Sequence, residues 1–99
     1  MQKYIVDIDG TICSQESDYR DALPFRERIE KINKLYDEGN YIVFDTARGS
    51  VTGIDWKEIT QNQLKDWGVK YHELILSKKP FGDFYIDNHG INASDFFRS

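Results

Sequence analysis

Apolar residues fall into short blocks along the 99-residue chain, and their spacing switches between the strand and helix periods. Lys3 to Ile8 is rich in β-branched and aromatic residues and is broken by Gly10, so it reads as a first strand. Residues 10 to 23 are polar and mixed, which predicts an ordered loop or a short hairpin. Pro24 then opens a helix in which Phe25, Ile29, Ile32, Leu35 and Tyr36 recur at helical spacing. Gly39 stands at its C′ stop. Tyr41 to Phe44 is a second apolar strand, running into Asp45-Thr46-Ala47-Arg48-Gly49. Asp55 and Glu58 have the spacing of an N-cap and its reciprocal partner. The helix they begin carries Trp56, Ile59, Leu64 and Trp67 on one face and ends before Gly68. A third strand lies within Val69 to Leu76, and Phe84 to Ile86 is a fourth, leading into Asp87-Asn88. The tail from Gly90 to Ser99 has no decisive pattern, and the chain contains no repeat, low-complexity tract or linker.

Strand, helix, strand, helix, strand, strand is the order of an α/β domain built on a mainly parallel sheet. Such sheets bind ligands outside the carboxyl ends of their strands. The polar residues sort themselves onto that edge. Asp7 and Asp9 end the first strand, Thr46 and Arg48 the second, Asp87 and Asn88 the fourth, and Lys78 and Lys79 sit in the loop before the fourth. Carboxylates are costly to bury without a cation or hydrogen-bond donor. Two acids two residues apart near a strand end are by themselves more often a solvated turn, and it is the convergence of three strand ends and one loop that points to a ligand.

Composition changes this picture mainly by exclusion. The length suits one domain with a single core. A net charge of -4 and a pI near 5.1 leave no global basic field for nucleic acid or anionic lipid. A single cysteine, Cys13, rules out an internal disulfide and a multi-cysteine zinc site. No N-terminal apolar run has the length of a signal peptide or membrane span, so a cytoplasmic protein is expected. Two Trp, six Tyr and six Phe on so small a core predict apolar surface for self-association as a dimer or tetramer.

The run Asp7-Ile8-Asp9-Gly10-Thr11, an apolar strand ending in Thr46, Lys79-Pro80, and Tyr85-Ile86-Asp87-Asn88 together resemble the haloacid dehalogenase superfamily of phosphotransferases. The motifs span residues 7 to 88 in that family's order. The short chain is similar to its capless phosphatases of capsule and surface-sugar biosynthesis. The resemblance implies a Rossmann-like three-layer fold with a small, mainly parallel sheet and no cap domain. It implies a Mg²⁺-dependent phosphomonoesterase acting on a small phosphate ester, a sugar or polyol phosphate. Asp7 would be the nucleophile that becomes an aspartyl phosphate, and Asp9 would protonate the leaving alkoxide and then deprotonate water. Extended-chain alternation points residues i and i+2 the same way, so both carboxylates can face one phosphate. Gly10, Thr46, Ala47, Arg48 and Lys79 would surround that phosphate. Mg²⁺ would be held by Asp7, the backbone carbonyl of Asp9, Asp87 and Asn88, a sparse oxygen set of the kind this ion prefers.

Several rival readings bear on these assignments. A calcium loop is excluded, because a strand flanks the motif and Thr11 occupies its fifth position. Asp83 and Asp87 would lie roughly 13 Å apart on an extended chain at ~3.3 Å per residue, too far to share one ion. Lys79, next to Pro80, fits the family pattern better than Lys78 does. Arg48 either braces its loop or grips the substrate. Cys13, His72 and His89 form no ligand set, and Trp56 and Trp67 belong to the core. Two departures stand out: Asn88 occupies the place of a second acid, and Asp45 stands where the strand is ordinarily apolar. They keep open a degenerate phosphate-binding or regulatory domain. A phospho-accepting receiver fits less well, since its accepting Asp follows a later strand.

Overall fold

The computed structural model describes residues 1–50, 54–76, 84–87, 91–92 and 96–97; at 49, 50, 84–87, 91 and 92 it describes the backbone alone. Five strands, β1 (Lys3–Asp7), β2 (Tyr41–Thr46), β3 (Glu73–Leu76), β4 (Phe84–Asp87) and β5 (Ile91–Asn92), form one sheet in the order β3-β2-β1-β4-β5. Every pairing is parallel. The helices α1 (Arg26–Asp37) and α2 (Trp56–Asp66) connect β1 to β2 and β2 to β3. Both connections step the same way across the sheet, so right-handed crossovers put both helices on one face. This is the α/β, Rossmann-like architecture that the element order predicts.

Packing follows from strand alternation. Val6 and Ile8 beside Ile42 and Phe44 form the face that meets Ile29 and Ile32 of α1 and Leu64 of α2. Ile5 and Val43 lie on the opposite face and are equally buried. A sheet covered on both sides needs apolar residues at successive positions, which explains why β1 and β2 read as continuous apolar runs.

Several boundaries differ from the sequence reading. The second strand continues past Phe44 through Asp45 and Thr46, because both pair with β3. The first helix begins at Arg26 rather than Pro24. Pro24 instead forms an antiparallel bridge with Cys13, and Phe25 donates its N–H to the Ile12 carbonyl. Residues 14 to 23 thus make a short hairpin-like excursion with a 3-10 turn at Tyr19–Asp21, closed by Ser14 N–H to the Leu23 carbonyl. Gly39 adopts φ +93° just after α1, as a helix stop of this type requires. In α2 the fully inward positions are Trp56, Thr60 and Leu64, while Ile59 is only half-buried. The tail contributes β5 and the helical pair Phe96 and Phe97, which packs against the core. No helix among the described residues is long and apolar enough to cross a membrane.

Phe44 is fully buried in β2 and meets Tyr71 edge-on at 5.7 Å. Phe44→Ala is expected to destabilise the protein by about 3–5 kcal/mol. Urea denaturation monitored by circular dichroism checks this, and a loss under about 1 kcal/mol would mean that β2 is not the packing centre.

Candidate active site

The reversal of strand order falls between β1 and β4, which is where a parallel sheet opens a crevice at its carboxyl edge. Asp7 is the last residue of β1 and pairs in register with Asp45 of β2. On the other side Val6 pairs with Ile86, so the backbone of Asp87 stands level with Asp7. Neighbouring strands lie ~4.8 Å apart, which brings three acidic positions onto one short row. Thr46 ends β2 and the chain turns directly into the 3-10 turn Ala47–Ser50.

Beyond β1 the chain bends at Gly10, whose φ of +81° an L side chain rarely adopts. The Gly10 N–H is donated to the Cys13 carbonyl, and Thr11 and Ile12 donate to the Ile8 carbonyl. This tight turn presents the Asp9 carboxylate to Arg48. The guanidinium donates from Nε to Oδ2 at 3.0 Å and from Nη2 to Oδ1 at 2.8 Å, a bidentate ion pair. Arg48 has 0% side-chain exposure and Asp9 12%. The remaining arm, Nη1, donates to Thr60 Oγ1 at 3.1 Å and to Gln63 Oε1. Gln63 in turn donates to the Tyr19 carbonyl at 2.8 Å, and the Tyr19 ring lies 4.9 Å from the guanidinium carbon. Trp56 closes the cluster, edge-on to Tyr19 at 5.1 Å.

The sequence-selected residues therefore have distinct surroundings. Arg48 adopts the bracing arrangement of its two alternatives, because its guanidinium is buried on Asp9, Thr60 and Gln63. Thr46 is buried and its Oγ accepts the Arg48 backbone N–H at 3.2 Å, leaving the hydroxyl proton free to donate among the described residues. Ala47 is exposed at the strand end. Asp45 is buried beside Asp7 and half of the pair that makes this edge acidic. Trp56 is buried, as expected, and Trp67, at the other end of α2, is partly buried against the core that includes Leu64 and Val69. His72 stacks between Tyr36 and Tyr41 at the opposite edge of the sheet, far from a ligand role. Lys78, Lys79, Asp83, Asn88 and His89 lie outside the described residues, as does the side chain of Asp87.

Thr60, Gln63 and Tyr19 are the site residues that sequence reasoning missed. The helical repeat did carry a trace of them: positions 56, 60 and 64 share one face, and a polar Thr among apolar residues there needs a buried partner.

Among the described residues no three His, Cys, Asp or Glu side chains form a metal cluster. The donor chemistry nevertheless fits Mg²⁺. Asp7, the carbonyl of Asp9 and Asp87 are hard oxygen donors supplied from adjacent strand ends, with no nitrogen or sulfur ligand required.

Neither any protein-family model nor any curated protein matches the chain. Among solved structures, an MCSG target from Vibrio cholerae is 34% identical, with a TM-score of 0.78, over 100% of this chain and 89% of that one. D,D-heptose 1,7-bisphosphate phosphatase from B. bronchiseptica, complexed with magnesium and phosphate, is 18% identical with a TM-score of 0.58. That match covers 84% of this chain and 53% of that enzyme. A chain of the Pnkp1/Rnl/Hen1 complex is 19% identical with a TM-score of 0.64, over 89% of this chain and 31% of that one. At 18% and 19% identity the likeness is one of fold.

Cys13 is buried against this site, its Sγ 3.7 Å from Asp9 Oδ1 and 3.5 Å from the Ile8 carbonyl. Burial first, and the Asp9 charge second, push its thiol up to about 12. Because the folded value exceeds the unfolded one, the linked stability is complete below about 9 and falls as pH rises toward 12. Native protein at pH 8 should therefore resist iodoacetamide, with alkylation appearing only on unfolding. Mass spectrometry checks this, and rapid native labelling would mean that the turn after β1 opens freely.

Proposed function

We propose, for a chain that belongs to one family with the Vibrio cholerae protein and has the haloacid dehalogenase-like fold, that it is a Mg²⁺-dependent phosphomonoesterase. The observation that supports this most is the convergence of Asp7, Thr46 and the backbone of Asp87 on one sheet edge, with Asp9 held beside them. Magnesium and phosphate bound to the B. bronchiseptica phosphatase support the ligand class.

On this reading Asp7 attacks phosphorus and the ester oxygen departs, leaving an aspartyl phosphate on Asp7. Asp9 gives the departing oxygen its proton, then takes one from the water that cleaves the intermediate. The Thr46 hydroxyl donates to the phosphoryl oxygens, and Lys79 supplies a fixed positive charge. Asp7, the Asp9 carbonyl and Asp87 would hold Mg²⁺, with Asn88 as a further neutral donor. Bound by these groups, the ion would supply positive charge that lowers the repulsion between Asp7 and the phosphate. The substrate is a small sugar or polyol phosphate, by analogy with the heptose phosphatase and the capsule-type resemblance. Asn88 favours a second reading, a phosphate-binding or regulatory domain with little turnover.

Phosphate release from an aryl phosphate with Mg²⁺ separates the readings: sustained turnover supports the enzyme, and no release favours the binding domain. Asp7→Asn should cut turnover below about one-thousandth while leaving the fold intact. Asp9→Asn should retain a burst of phosphoenzyme but slow its hydrolysis about 10²- to 10⁴-fold. Full activity in the first variant would remove the covalent mechanism, and wild-type behaviour in the second would remove the acid–base role.

Asn88 generates a separate expectation. Replacing a carboxylate by an amide weakens metal binding in the free protein, because one charge is absent. Asn88→Asp should tighten Mg²⁺ in calorimetric titrations without substrate. Equal affinity in both forms would mean that residue 88 points away from the ion.

A further inference from the structure

We propose that Arg48 is the positioning residue of this site, and that it selects Oδ2 of Asp9 as the oxygen that exchanges a proton with substrate and water. The proposal rests on the phosphatase reading above. A carboxylate oxygen offers two lone pairs. Oδ1 accepts from Arg48 Nη2 at 2.8 Å, and its other side is covered by the buried Cys13 Sγ at 3.7 Å, whose single proton is shared with the Ile8 carbonyl at 3.5 Å. Oδ2 accepts from Arg48 Nε alone, at 3.0 Å. One lone pair on Oδ2 remains open among the described residues, on a side chain with 12% exposure.

The clamp also holds the carboxylate still. Two parallel N–H donors fix the plane of the Asp9 carboxylate, which a single ammonium group cannot do. The guanidinium is itself held by Thr60 and Gln63 of α2 and covered by the Tyr19 ring. Gln63 ties that helix to the excursion between residues 14 and 23 through the Tyr19 carbonyl. The orientation of Asp9 is therefore set jointly by α2 and the 14–23 excursion. In the first step the proton on Oδ2 passes to the ester oxygen as its bond to phosphorus breaks. In the second, water gives a proton back to Oδ2 while its oxygen bonds phosphorus and the bond from phosphorus to Asp7 breaks.

The test compares Arg48→Lys and Thr60→Val with wild type in single-turnover phosphorylation by nitrophenyl phosphate and by glycerol phosphate, with Mg²⁺ saturating. Nitrophenolate leaves without a proton, whereas the alkoxide needs one. Mispositioned Asp9 should slow the glycerol phosphate reaction of Arg48→Lys about 100-fold and the nitrophenyl phosphate reaction less than about 10-fold. The half-saturating substrate concentration should stay within about twofold, because Arg48 does not grip the phosphate. Thr60→Val should show the same split at smaller amplitude. Equal losses with both substrates would mark a merely structural brace, and a raised half-saturating concentration would mark a substrate ligand; either overturns the proposal. If circular dichroism shows Arg48→Lys unfolded, Thr60→Val decides by the same criterion. Unchanged variants of an active wild type would remove the positioning role alone, whereas an inactive wild type would remove the phosphatase reading and this proposal with it.

Discussion

A guanidinium with no solvent exposure is tolerable only when its charge and its donors are all met, and at Arg48 the whole carboxyl edge of the sheet is arranged to meet them. Asp9 supplies the counter-charge, Thr60 and Gln63 take the remaining arm, and the Tyr19 ring covers the face. Desolvating such a pair costs several kcal/mol per ion, and removing one partner of a buried pair costs about 3–5 kcal/mol. The interaction therefore contributes less to net stability than to geometry. It joins the turn after β1, the turn after β2, α2 and the 14–23 excursion, which no apolar contact would hold at one fixed angle.

The two edges of the sheet are used differently. At the amino edge, His72 lies between the rings of Tyr36 and Tyr41, at 4.6 and 4.3 Å, and its Nδ1 accepts the Ile42 N–H. The Tyr41 hydroxyl donates to Glu73, which pushes its ionisation up. The His72, Tyr41 and Glu73 side chains there thus have local partners. At the carboxyl edge, Asp7 and the buried Asp45 are register partners on adjacent strands. Carboxylate positions gathered where strands end call for cations or hydrogen-bond donors close by. Local departures of this kind cluster where a protein binds or reacts.

Much of this was legible in the chain, because strands, helices and the acids that end them are local events. Alternation and helical spacing select the buried faces of β1, β2 and α1 from a few neighbouring residues, and Gly39 marks a stop by its own backbone freedom. The rank of Asp7, Thr46 and Asp87 at strand ends follows once the order of elements implies parallel pairing. Arg48 shows the limit. Its neighbours in sequence leave bracing and substrate contact equally open, since the choice depends on Asp9, 39 residues away.

Tertiary structure decided what depends on distant partners. Asp45 and Thr46 are strand residues because β3 pairs with them, and Thr60 and Gln63 join the site because α2 lies on the same face of the sheet as α1, against Arg48. Tyr19 enters from an excursion whose polar composition predicts only a loop. The sequence by itself determined the elements and the acids at their ends, since those rest on interactions within a turn or two of chain. The direction of the Asp9 carboxylate rests on a hydrogen-bond network between segments far apart in sequence, and such a network exists only when the chain is folded.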